Sequence, residues 1–538
     1  MRNLTCKIIY ILILLISALS CRTSNNKRIF TELVFIDHQN LRYVKEKQTI
    51  LFQIKSAKKN IDKASELGID TYLFFAQETF EAMLNYDFTA TGLGNIGEKA
   101  FPPDGDHRRT AIFLSDALNE IIDYAQKKQV RIFFHSNQFI FPKEVLKIIE
   151  PAVWGTAVCP GRDITWEIYS KKLQEFFTIF PNIAGLQITG DETQVSVLEC
   201  KCDSCAHMSF VDRVNMLTRV TAEVCLEHGK EVQMRTWQRM AELEEEKDPS
   251  KMGEGLPDNV FFSIKNTKGD FYITNPPDEK LLRSVDPDRV VVEFDAWREY
   301  NGNNYFPCFM GEKWAPRFRL LHELGIKRIA IRLNWCSNKN PIFEMPWGNE
   351  VNIYTFLKLS ENPERTADDI LQEFVLNTFP ESAQKTAFNL YKFSPGFQET
   401  IYYLKGEYNA NHSRVQDDYA KVDLENLQNQ GFLMQSEDFE ARRQEINMAC
   451  KKANTLVDLL GIEVPKEWSK SLKIGIIIEQ HIAVGTIDKM EAIFWKKKGN
   501  TEEFEKVLKR LKERQKNWSD FHSESYRSMN GEDLLKDI

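Results

Sequence analysis

The 538-residue sequence predicts a (β/α)8 barrel, an α/β TIM barrel, followed by an all-α C-terminal domain. Three observations carry that expectation. Eight short runs rich in β-branched and aromatic residues recur between positions 33 and 333, each followed by loop residues. Amphipathic stretches of helical period separate them, the alternation of a parallel sheet covered on both faces. Beyond Pro363 the strand runs stop and charged helical patterns replace them. A closed barrel takes about 250 residues or more, so this chain has room for one barrel and an accessory domain.

Composition narrows the function classes. At 42% hydrophobic and 28% charged residues, the chain reads as globular, not disordered or collagenous. Its 78 acidic residues outnumber 70 basic ones, which argues against nucleic acid as a partner.

In chain order, residues 1–21 read as an export signal. Arg2 and Lys7 precede an apolar run over 8–16. At about 10 residues that run is too short to span a bilayer and suits a signal-peptide core. It ends in Ser17-Ala18-Leu19-Ser20-Cys21, which resembles the lipobox of bacterial lipoproteins and implies an acylated Cys21. A plain secretory signal is the alternative. Residues 22–30 then form a short polar tether. Arg22, directly after the cysteine, is not the acidic signal that retains lipoproteins at an inner membrane. The expected location is therefore the bacterial outer membrane or periplasm, with the lipid bilayer as one partner.

The strand runs occupy 33–37, 71–76, 130–135, 185–189, 231–235, 260–265, 290–294 and 328–333. Helical patterns at 50–67, 111–128, 166–180 and 211–228 lie between them. The barrel is expected over 31–362. An open doubly wound sheet is the alternative, but no glycine-rich phosphate turn follows the first strand. The C-terminal domain, 363–538, is read from helical patterns at 366–379, 382–403, 438–460 and 501–518. Those helices also offer a surface for a homodimer.

A barrel of this kind carries its active site at the C-terminal ends of its strands. Just past the eight runs stand Asp37 and His38, Gln77 and Glu78, His135 and Asn137, and Asp191 and Glu192. Arg235 and Trp237, Lys265 and Asp270, then Glu293, Asp295 and Glu299 follow, and Asn334 and Trp335 end the series. Carboxylates can protonate a leaving oxygen or activate water, while indoles cover the apolar face of a sugar. One carboxylate at a strand end is usually a cap or an ion-pair partner. Recurrence over most of the strands is what points to carbohydrate cleavage.

Three blocks resemble the glycoside hydrolase family 67 α-glucuronidases, over roughly residues 185–379. They are Gly185-Leu186-Gln187-Ile188-Thr189-Gly190-Asp191-Glu192, then Ile264-Lys265-Asn266 with Gly269-Asp270-Phe271, and Glu293-Phe294 with Arg298-Glu299-Tyr300. The resemblance implies that Glu192 is the general acid and that Asp270 and Glu299 act on the attacking water, with inversion. Met234-Arg235-Thr236-Trp237 is similar to another strand end of that family, so Arg235 and Lys265 are expected to bind a uronate carboxylate. Asp191, Trp237, Glu293, His135 and Trp335 complete the expected substrate-binding set. Two departures stand out: Ile188 replaces a uronate-binding Lys of the family, and the family's amino-terminal β-domain has no counterpart. The Gly-Asp-Glu triplet also resembles family 20 β-hexosaminidases, in which Asp191 would steer an acetamido group. A non-catalytic glycan-binding lipoprotein is the third possibility.

Cysteine spacing adds one further expectation. Cys200, Cys202 and Cys205 place three thiols within six residues. Cys159, His207 or Cys225 would complete a tetrahedral zinc site of structural type. A disulfide with a leftover thiol is the alternative in an exported chain. Acid–base hydrolysis itself requires no cofactor.

Overall fold

The computed structural model describes residues 28–37, 47–75, 77–137, 140–154, 157–189, 200, 202–235, 255–334, 342–344, 348–404, 406–408 and 436–525. Cys21, Asp191, Glu192, Trp237 and Trp335 lie outside the described residues, as does His38. So do the side chains of Gln77, Glu78 and Asn137.

Eight parallel strands close into a barrel. They are β1 (Glu32–Asp37), β2 (Thr71–Phe75), β3 (Arg131–Asn137), β4 (Gly185–Thr189), β5 (Glu231–Arg235), β6 (Val260–Lys265), β7 (Val290–Asp295) and β8 (Arg328–Arg332). Neighbours in sequence are neighbours in the sheet, and β1 closes on β8 with Glu32 opposite Arg328. Helices α1 (Lys47–Glu66), α2 (Asp106–Lys127), α3 (Asp163–Ile179) and α4 (Phe210–Glu227) alternate with the first five strands. The short α5 (Glu279–Ser284) links β6 to β7, and α6 (Gly311–Glu323) precedes β8. The eight sequence runs match the strands to within two residues. The sequence reading did not foresee three small antiparallel pairs, Thr89–Ala90 with Gly94–Asn95, Val153–Trp154 with Ala157–Val158 and, in the region read as all-α, Tyr403–Leu404 with Glu407–Tyr408. Two-residue strands carry no periodicity from which they could be read.

Strand alternation sorts the barrel interior into layers. Val34, Ile36, Leu73, Phe133, Phe261, Val291 and Ala330 form one apolar cluster drawn from six strands. The first residues of the strands form an ionic ring at one end. Arg131 binds both Glu32 and Glu231, Arg328 Nε lies 2.9 Å from Glu32, and Thr71 donates to Glu32. Arg131 is 39% exposed, so such pairs contribute at most about 1 kcal/mol each. Gly185 occupies an inward position where a Cβ would stand 2.4 Å from the Phe133 ring and 2.3 Å from the Glu231 carbonyl oxygen. Only glycine leaves Phe133 its place in the core.

The chain forms two compact units. The first holds the barrel; the second gathers Phe271–Asn275, Asp295–Pro316 and Lys339–Ile538. Within the second, α7 (Glu350–Glu361), α8 (Ala367–Thr378), α9 (Glu381–Tyr402), α10 (Ser436–Gly461), α11 (Lys466–Lys498) and α12 (Thr501–Ser525) follow in order. Thr366 caps α8 by accepting from the Asp369 N–H. None of the helical patterns read from the sequence covers the 33-residue α11. It is buried over most of its circumference between 475 and 492, and a helix buried all round shows no apolar stripe. Its buried Asp488 meets Arg443 of α10 at 3.1 Å and Arg514 of α12 at 3.3 Å, tying three helices together. The second unit is thus helical, as expected. Among the described residues no helix is long and apolar enough to cross a membrane.

Candidate active site

Inward positions nearer the C-terminal ends of the strands are polar. Gln187 lies opposite His135 of β3 and Gln233 of β5. Ser263 and Lys265 of β6 lie opposite Arg235 and Val291, and opposite Glu293, respectively. All these polar side chains are buried. Gln187 Nε2 donates to Gln233 at 3.2 Å, Ser263 at 3.3 Å and Glu293 at 3.4 Å. β4 is adjacent to neither β6 nor β7, so the bonds to Ser263 and Glu293 cross the barrel interior.

Glu293 is the hub. Arg235 donates through Nε at 3.1 Å to both carboxylate oxygens and through Nη2 at 3.0 Å, and Ser263 Oγ donates at 2.5 Å. Burial works to raise the Glu293 pKa, yet Arg235 first, then Ser263 and Lys265, hold it below the ordinary carboxylate range. Glu293 is therefore an anion saturated with donors, suited to fixing Arg235 and poorly suited to taking a proton. Arg235 and Glu293 were both expected to bind substrate. The structure makes Glu293 an internal counter-ion, with two of the three Arg235 nitrogens turned onto it.

Lys265 has a different partner. Its Nζ lies 2.5 Å from Asp270 Oδ1, and both groups are buried. A loop makes this possible. Gly269 adopts φ +71, a left-handed conformation that reverses the chain, and the Lys268 N–H closes the loop on Pro276 O at 2.7 Å. Asn266 fixes the loop base, with its backbone N–H and Nδ2 both on Glu293 O at 2.9 and 2.7 Å. Each residue of the Lys-Asn…Gly-Asp block thus has a geometric task.

The third block begins in the barrel and ends in the second unit. Glu299 is buried there, and its N–H bonds Asp295 Oδ2 at 2.8 Å, while Trp297 N–H bonds Asp295 Oδ1 at 3.1 Å. Arg298 takes φ +66 at the centre of this turn, held by Asn301 Oδ1 at 2.6 Å and Phe271 O at 3.1 Å. Asp295, placed at a strand end by the sequence, proves to be the cap that orders the Glu299 turn. Beside it, Tyr300 packs on Tyr272 at 4.4 Å and on Tyr408 at 5.3 Å. This tyrosine cluster escaped the sequence reading because Tyr408 is more than a hundred residues from Tyr272 and Tyr300.

The sequence reading also missed Gln187, Gln233 and Ser263. One signal was available: each stands two places before a polar strand end, with an apolar residue on either side. Thr189 Oγ1 and Gln187 Oε1 are buried and have no hydrogen-bond partner among the described residues, leaving two polar atoms for water or a ligand.

Away from this layer, Cys200, Cys202 and Cys205 come together with Cys159, all four buried. His207 and Cys225, the other candidate ligands, are not among the four.

No protein-family model and no curated protein matches the chain. Among solved structures it is similar to an enzyme of glycoside hydrolase family 138 described as targeting pectin rhamnogalacturonan II. Identity is 10%, the match covers 93% of this chain and the TM-score is 0.60. The likeness is one of fold. This chain spans 62% of that enzyme's length. A Thermobaculum terrenum O-GlcNAc hydrolase mutant, at 11% identity, matches over 92% of this chain and 91% of its own with a TM-score of 0.44. A β-N-acetylhexosaminidase from Bacteroides fragilis, at 16% identity, matches over 62% and 66% with a TM-score of 0.39.

Proposed function

We propose that this chain is a lipid-anchored glycoside hydrolase that cleaves uronic-acid-bearing glycans by an inverting acid–base mechanism. The observation that carries the reading is the Lys265–Asp270 pair. The loop turned by Gly269 returns an acid to the base at the end of β6, as a working site at that end of a barrel requires. The Arg235–Glu293 ion pair stands beside it on β5 and β7, with Glu293 opposite Lys265. Glu192 donates a proton to the leaving oxygen, and Asp270 with Glu299 orients and deprotonates the attacking water. Arg235 and Lys265 supply the positive charge for the sugar carboxylate, Arg235 beside its pair with Glu293 and Lys265 beside its pair with Asp270. A target such as the rhamnogalacturonan named for the family 138 enzyme is in keeping with an acidic substrate.

The test is a screen of the purified chain against uronate-bearing, N-acetylated and neutral oligosaccharides. Release of uronic acid from the first group is expected, and Lys265→Ala should weaken turnover of uronic substrates far more than that of neutral ones. Cleavage confined to N-acetylated glycans would move the chain toward a hexosaminidase reading, and binding without turnover toward a lectin-like one. Equal losses on uronic and neutral sugars would remove the carboxylate-binding role of Lys265.

The membrane assignment rests on Ser17-Ala18-Leu19-Ser20-Cys21. Acyl chains contribute about 0.8 kcal/mol per buried methylene, and two or more anchor a protein stably. Mass spectrometry of the chain's new N-terminus should find acylated Cys21, with the protein in the membrane fraction. Recovery wholly in the soluble fraction with an unmodified Cys21 would end that part of the proposal.

A further inference from the structure

The four sulfurs of Cys159, Cys200, Cys202 and Cys205 all lie within 4.8 Å of one another, in the barrel unit. Cys202 Sγ stands 3.1 Å from Cys159 Sγ and 3.6 Å from Cys205 Sγ. A bonded sulfur pair sits at about 2.0 Å and takes two sulfurs only. A tetrahedral zinc ion with bonds of about 2.3 Å sets its ligand sulfurs about 3.8 Å apart. Four sulfurs in one mutual cluster, with Cys202 close to two others, match the second arrangement better than any division into pairs.

We propose that these four cysteines bind one structural Zn²⁺ ion through four thiolates. Four thiolates around Zn²⁺ leave two excess negative charges, and a buried guanidinium stands next to them. Arg213 of α4 donates to Cys200 O and Cys205 O, both at 2.7 Å. Close approach of the two strands of chain depends on Gly161, where a Cβ would meet Ser204 O at 2.4 Å and Cys205 Cβ at 2.9 Å. Ser209 and Asp212 then cap α4 reciprocally, directly after the knuckle.

Zinc here has a structural consequence for the chain. It joins the loop before α3 to the turn before α4. The ion completes a closed four-sulfur shell with no open position, so it takes no part in hydrolysis.

The test is metal analysis of the purified chain expressed with zinc supplied. One zinc per chain is expected, together with four thiols that become reactive only after chelation under denaturing conditions. Cobalt exchanged into the chain should give the sulfur-to-metal charge-transfer bands and intense visible bands of a tetrahedral thiolate site. Cys205→Ala should lose most of the metal, while Cys225→Ser, buried elsewhere, should keep it. Should Cys205→Ala fail to fold, the cobalt spectrum of the parent chain decides the ligand set. A zinc-free chain whose cluster cysteines are disulfide-bonded by mass would overturn the proposal. So would bound cobalt without charge-transfer bands, or undiminished zinc in a folded Cys205→Ala.

Discussion

Replacing Glu192 with alanine is expected to slow cleavage of natural glycans by about 10²–10⁴-fold, the range for removal of a positioned general acid. The same variant should keep much of its rate on aryl glycosides whose leaving group departs without protonation. Asp270→Ala and Glu299→Ala should behave otherwise. They disable water attack, and a better leaving group does not supply a nucleophile, so both classes of substrate should remain slow. Asp270→Ala also leaves buried Lys265 without the carboxylate now 2.5 Å from it, so Asp270→Asn is the cleaner comparison. NMR of the first-formed product should show the anomer opposite to that of the substrate, because the proposed site has a base and no covalent nucleophile. Retention of configuration, or normal turnover in an Asp270/Glu299 double variant, would sink the mechanism.

Replacing Glu293 with leucine is expected to destabilise the barrel by about 3–5 kcal/mol, the cost of breaking a buried ion pair by deleting one partner. Both side chains are almost fully buried, so Arg235 would keep a cation inside the barrel stripped of the Glu293 carboxylate. Ser263 and Gln187 would lose their shared acceptor as well. The double variant Arg235→Met/Glu293→Leu should recover much of that loss, since apolar groups of similar size often replace a buried pair at little cost. Urea unfolding midpoints at constant slope measure both effects. A double variant as unstable as the single one would show that the pair is not the source of the loss. The carboxyl's lowered pKa sets the pH window. Its contribution is complete above the ordinary carboxylate range and disappears as pH falls through the lowered value. Glu293→Gln should lack that acid-dependent part of the unfolding curve.

Both predictions turn on residues that are legible in the sequence to different degrees. Lys265 and Asp270 were each legible in one block, and their pairing follows from the short loop of four residues between them, turned by Gly269. Arg235 and Glu293 were visible at strand ends, but their mutual commitment was not. They are 58 residues apart, and whether a guanidinium faces a ligand or a carboxylate depends on which strands the closed sheet brings near it. The cysteines divide the same way. Cys200, Cys202 and Cys205 declare themselves by spacing, whereas the fourth sulfur, 41 residues before Cys200, was one of three equal candidates until the fold put Cys159 beside them.

The sequence by itself determined the strand-and-helix alternation, the positions of the eight strands and the helical character of the C-terminal region. Periodicity of apolar residues is a local property, carried within a dozen residues, and needs no partner to be read. Only the tertiary structure decided which polar side chains meet. Barrel closure brings Gln187, Gln233, Ser263, Arg235 and Glu293 into one hydrogen-bonded layer. The segments 271–275 and 295–316 leave the barrel strands to pack with the helical unit. The physical reason is the same in each case. A buried charge or donor must find its partner wherever the fold supplies one, and that choice is made across the barrel, far beyond the reach of any sequence window.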